Sequence, residues 1–127
     1  MTINDIYELS LYLCEKTDDD TGYIDSEYKN HHRKKAEILI RQAIRKYADL
    51  QNEVIPDIDL YGVDEDIPLP DYALKNIIPY YVGAMLSAHD KDTDKYSLLI
   101  YEYQNAIEHL RFKEEQMDLN GILAGME

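Results

Sequence analysis

Ala36, Leu39, Ile40, Ala43, Tyr47 and Leu50 recur at spacings of 3, 1, 3, 4 and 3 in the run KKAEILIRQAIRKYADL. Steps of three and four residues return to one face of an α-helix, whereas a half-buried strand needs steps of two. His32 extends the stripe backwards, and the spacing predicts a helix from about Ser26 to Leu50. The opposite side of that helix is basic: Lys34, Arg41 and Arg45 surround Ile38 at helical spacing.

Three other segments show the same period. From Thr2 to about Lys16, Ile3, Ile6, Leu9, Leu13 and Cys14 fall within one arc, with Thr2 placed to cap the helix and Asp5 near its positive end. From Pro70 or Asp71 to about His89, the stripe is Leu74, Ile77, Ile78, Tyr81 and Met85, interrupted by Pro79. Counted at about 100° per residue, Pro79 falls roughly 140° from Leu74, on the outer face, where a proline bends a helix around its core. The alternative is a short turn to Ile78 and a new helix opening at Pro79. Gly83 and Ala84 leave room for another backbone to approach. After HDKDTD, Tyr96, Leu99, Ile100, Tyr103, Ile107 and Leu110 mark a fourth helix to about Met117.

Between the second and third helices lies a stretch of about twenty residues, Gln51 to Pro70. It carries Pro56, Pro68, Pro70 and acids at Asp57, Asp59, Asp64, Glu65 and Asp66, and its VIPDIDLYGV run has room for only an edge strand or ribbon. Loops of this length are uncommon in compact domains unless they have work to do or are disordered. The expected fold class is all-α, a bundle of about four helices with a long acidic, proline-containing loop between helices 2 and 3. Residues 1–117 form a single helical domain, and 118–127, with two glycines, a flexible or docking C-terminal tail.

At 127 residues the chain suits one domain. Its lone cysteine, Cys14, excludes an internal disulfide and a cysteine metal site. The first residues lack a basic n-region, and no apolar run approaches the ~18 residues of a membrane helix. The expected location is cytoplasmic, without membrane attachment.

No motif carries obvious chemistry. Cys14 sits beside an apolar arc, where a buried inert thiol is the usual outcome. His31 and His32 are adjacent and point about 100° apart, so they do not chelate as an i, i+4 pair would. Asp90, Asp92 and Asp94 match the first ligands of a calcium loop, but Lys95 stands at its glycine and Tyr101 at its last glutamate. Asp92 and Thr93 suit a helix start better. An all-α magnesium-dependent nucleotide pyrophosphohydrolase would need paired E-x-x-E glutamates, and none occurs. No catalytic residue, metal ligand or cofactor is expected, and the chain reads as a non-enzyme.

Charge is more informative. The net charge is −13, yet seven of the thirteen Lys and Arg lie between Lys29 and Lys46 beside one acid, Glu37. That stretch is +6 and the remainder −19, which argues against general nucleic-acid affinity and for charge-matched docking of copies. Twelve tyrosines against one phenylalanine fit either a small core or interfaces, where a wet hydroxyl is useful. The expected interface joins Lys34, Ile38, Arg41 and Arg45 of one subunit to the acidic loop of the next, Asp57, Asp59, Tyr61, Asp64, Glu65 and Asp66. Such a head-to-tail contact closes a ring or grows a filament.

The order of MTINDIYELSLYL, KKAEILIRQAIRKYADL, an acidic loop and LPDYALKNIIPYYVGAML, over about Thr2 to Leu110, resembles small head–tail connector or adaptor proteins of tailed phages and prophages. The resemblance implies a helical virion structural protein, oligomerising as a ring in the neck. Its partners would be the portal and other neck or tail proteins, with DNA only passing through a channel. It also implies cytoplasmic residence in the host before assembly into the virion neck, and an acidic loop that orders on docking. The alternative is a dimeric helical binding or regulatory protein of a mobile element.

Overall fold

The computed structural model describes residues 1–51 and 57–125, with side chains through residue 111. The described elements are helical: α1 (Ile3–Leu13), α2 (Ser26–His31), α3 (Arg33–Leu50), a 3-10 turn (Ile58–Leu60), α4 (Asp71–Asn76), α5 (Ile78–His89) and α6 (Thr93–Gly125). Among the described residues there is no strand, and isolated bridges join Thr2 to Asp66 and Thr17 to Ile24. None of the described helices is long and apolar enough to cross a membrane.

α1 opens on a full capping box. The Thr2 hydroxyl accepts from the Asp5 N–H at 3.1 Å, and the Asp5 carboxylate accepts from the Thr2 N–H at 3.0 Å. Two otherwise orphaned donors are thereby satisfied. The Thr2 N–H, foremost among the causes, holds the Asp5 carboxyl below its usual range. Of the expected arc, Ile3, Ile6 and Cys14 are buried and Leu9 and Leu13 half-buried; Tyr7, Ser10 and Leu11 complete the buried face.

The single helix expected from Ser26 to Leu50 is two, broken at His32, whose backbone (φ −101°, ψ 6°) leaves the helical region. Asp25 caps α2 through the N–H groups of Glu27 and Tyr28. α2 buries no residue. Tyr28 alone packs half-buried against the core, and Tyr7 Oη, donating to the Lys29 carbonyl at 2.7 Å, ties α2 to α1. α3 buries Ala36, Ile40, Ala43 and Tyr47 as its stripe requires, and Ile44 and Ala48 beside them. Leu50, expected in that stripe, is 39% exposed because the helix ends there, beyond the core.

The proline question resolves toward the two-helix alternative. α4 ends at Asn76, Ile77 is the joint, and Pro79 stands in the first turn of α5. A proline there forgoes only an N–H that a helix start leaves unpaired. Pro79 is not on an outer face; it is among the fully buried residues. A joint at Ile77 rotates α5 against α4, so an angular count from Leu74 does not carry across it. α5 is the central helix, packed against α6, α1, α3 and α4. It is apolar nearly all round and buries Ile78, Val82, Ala84 and Leu86. A Cβ added at Gly83 would lie 3.2 Å from Leu99 Cδ1 and 3.4 Å from the Ser10 carbonyl, so the missing side chain lets α1 and α6 close on α5.

α6 opens under Asp92, whose carboxylate accepts from the Lys95 N–H at 3.2 Å, the capping role expected of it. Its stripe holds: Leu99 is buried, and Tyr96, Ile100, Tyr103, Ile107 and Leu110 are half-buried. The helix runs past Met117 to Gly125, through most of the expected tail. Tyr103 meets Tyr81 of α5 and His109 meets Tyr72 of α4, so by residue 111 α6 has passed the start of α4. At about 1.5 Å per residue its 33 residues reach about 50 Å, well beyond its antiparallel partners.

Candidate functional site

The expected interface residues are divided by the fold into two sets. Arg41 donates to the Ile58 carbonyl and, at 2.9 Å, to Glu37 one turn earlier. Arg45 pairs with Asp59. These contacts pin the 3-10 turn onto α3 of the same chain, and Arg45 and Asp59, expected on two sides of a subunit contact, pair within one. Ile58 is buried, which anchors the turn from the apolar side as well.

Much of the acidic loop is likewise engaged at home. Asp57 caps the turn through the Asp59 N–H, and Asp64 accepts from Asn4 Nδ2 at 2.6 Å. Asp66 bridges to Thr2, and Tyr61 packs half-buried against the core. The Asn4 N–H donates to the Val63 carbonyl, and the Ile67 N–H to that of Met1. Ile67 and Leu69 are buried. From residue 57 onward the loop is therefore folded against α1 and α3 rather than held out as an arm; Pro56 and the start of VIPDIDLYGV lie outside the described residues. Lys34, Ile38 and Glu65 stay exposed. Ile38 is 58% exposed, and Leu60, which the sequence did not single out, is 79% exposed on the pinned turn.

A second constellation was not legible in the sequence. His32 from the α2–α3 joint and His89 and Asp90 from the end of α5 bring ligand-capable atoms within 4.8 Å of one another. Tyr28 organises two of the three. Its carbonyl lies 3.0 Å from His32 Nδ1, its ring stacks on the imidazole at 3.8 Å, and its hydroxyl donates to Asp90 Oδ2 at 2.7 Å. Lys16 reaches the same carboxylate oxygen at 2.9 Å, and Lys35 meets His89 Nδ1. Burial works to raise the Asp90 carboxyl, but the Tyr28 and Lys16 bonds and the nearby charges outweigh it and hold it low. Burial foremost, then the Asp90 contact, pushes the Tyr28 phenol up. Two histidines 57 positions apart show no chelating spacing, which is why sequence periodicity passed over them.

Elsewhere the described surface has little convergent chemistry. Cys14 is fully buried, and burial pushes its thiol up to about 11 despite Lys16 and Lys95 nearby. A thiol so placed is a packing group rather than a nucleophile. The groove between α4, α5 and α6 is lined by Tyr72, Asn76, Tyr80, Glu102, Asn105, Ala106 and His109, with one carboxylate among them. No protein-family model, curated protein or solved structure matches the chain.

Proposed function

We propose that the chain is a non-enzymatic structural subunit that docks on copies of itself, as a head–tail connector or adaptor in the neck of a tailed phage or prophage. The helices then group as a four-part bundle, α1, α2–α3, α4–α5 and α6, with the acidic, proline-containing stretch between the second and third parts. The observation that carries the proposal is the exposed face of α3. Lys34, Ile38 and part of Arg45 on α3 face solvent, as does Leu60 on the turn that Arg41 and Arg45 hold to α3, on a chain of net charge −13. An exposed isoleucine flanked by cations makes a contact surface for an acidic partner, and the rest of the same chain is acidic. The length of α6 adds an arm that extends beyond its own bundle.

Light scattering after size exclusion, at low and high salt, tests this directly. A closed assembly that falls apart in salt is expected. A dimer indifferent to salt would favour the mobile-element regulator and count against charge-matched docking.

A further inference from the structure

We propose that His32, His89 and Asp90 form an inducible site for a divalent transition metal of the zinc type, oriented by Tyr28 and guarded by Lys35. Two imidazoles and a carboxylate are a common zinc donor set. The argument for a site, rather than a chance grouping, is the preparation of the ligands. A carbonyl can only accept, so His32 Nδ1, 3.0 Å from the Tyr28 oxygen, carries a proton. In the neutral ring, Nε2 then holds the free lone pair, as in metal-bound histidines whose other nitrogen donates to a carbonyl. The hydrogen bonds from Tyr28 and Lys16 to Asp90 both fall on Oδ2, which leaves Oδ1 to ligate. One residue, Tyr28, thus orients a ligand on each of two elements.

His89 is the movable third ligand. It is exposed, and its Nδ1 faces the Lys35 ammonium. An ammonium can only donate, so Lys35 occupies the lone pair a metal would use. Metal binding therefore expels Lys35, and the donor atoms close from within 4.8 Å of one another to about the 3.3 Å implied by metal–ligand bonds of about 2.0–2.1 Å. The charged and titratable groups facing the site are Lys16, Lys35, Tyr28 and His31, the last in edge contact with His32. Two lysines beside the site oppose a dication, so the affinity is modest and the site selects a nitrogen-seeking metal over magnesium. Once bound, the metal joins the α2–α3 joint to the end of α5.

Isothermal titration of the full chain with zinc, and cobalt absorption spectra, provide the test. One equivalent of zinc is expected to bind, with magnesium silent. His89→Gln, on the surface, should weaken zinc at least tenfold while leaving the circular dichroism unchanged, and His109→Gln should not. Tyr28→Phe should weaken it about tenfold, the usual consequence of losing an orienting partner. Lys35→Met should tighten it. Zinc affinity undiminished in His89→Gln, or no zinc binding in either the parent or Lys35→Met, would overturn the proposal.

Discussion

Ser87 is fully buried in α5, and its hydroxyl has no hydrogen-bond partner among the described residues. Such a group keeps the desolvation penalty of a hydroxyl and gains nothing for it, on the order of 1–3 kcal/mol. Ser87→Ala removes the penalty, leaves a void of one atom, and replaces a weak helix former with the best one. The expected outcome is a gain of about 1 kcal/mol, read as a higher midpoint in thermal unfolding. Asp5 works in the opposite sense. Its folded carboxyl is depressed by the Thr2 N–H, so its contribution is present above the unfolded value of roughly 3.9 and fades as pH falls through the folded one. Asp5→Asn should therefore cost from a few tenths to about 1 kcal/mol at pH 7. The gap to the parent should close below about pH 4, and denaturant titrations across that range measure it.

Between α3 and the 3-10 turn, two arginines a helical turn apart do different work. The Arg41 side chain is 13% exposed and bonds a carbonyl of the turn, whereas the Arg45–Asp59 pair is 46% and 57% exposed. Water and salt screen the second pair, and exposed pairs rarely exceed about 1 kcal/mol. Arg41→Ala should cost about 1.5–3 kcal/mol, the range for hydrogen bonds to charged groups, and Arg45→Ala less than about 1 kcal/mol. Negligible losses from both in chemical denaturation would mean the turn is held by Ile58 burial alone, and equal large losses would mean that exposure does not separate the two arginines. The same logic of local anchoring explains the joints at His32 and Ile77. α2 lacks a core stripe to align it with α3, and Pro79 cannot supply the N–H that would fuse α4 to α5.

At the scale of the whole molecule, the proposed docking face lies next to residues that hold the fold, which fixes the choice of variant. Reversing Arg41 would unpin the turn and confuse the two effects. Lys34 and Ile38 are exposed, and the polar contacts that hold the turn run through Arg41 and Arg45. Lys34→Glu combined with Ile38→Asp should leave the thermal midpoint within a few degrees of the parent and reduce the assembled mass toward that of a monomer. Retention of the parent mass would remove this face from the interface.

The sequence by itself determined that the chain is helical and, within each unbroken helix, most of the side that is buried. The 3.6-residue period is a local property, and Ala36, Ile40, Leu74, Ile78 and Leu99 are buried where it placed them. The capping roles of Thr2 and Asp92 were legible for the same reason, since a cap acts over three residues. Phase across a joint was not legible: Pro79 fell on the wrong side because the count assumed an unbroken helix. Nor was the partner of a charge. Arg45 and Asp59 are attracted whether in one chain or two, and only the packing of Ile58 under α3 brought them together in one. The cluster of His32, His89 and Asp90 is tertiary throughout. Its members meet because α5 returns antiparallel past the start of α3, a consequence of core packing that no local spacing encodes.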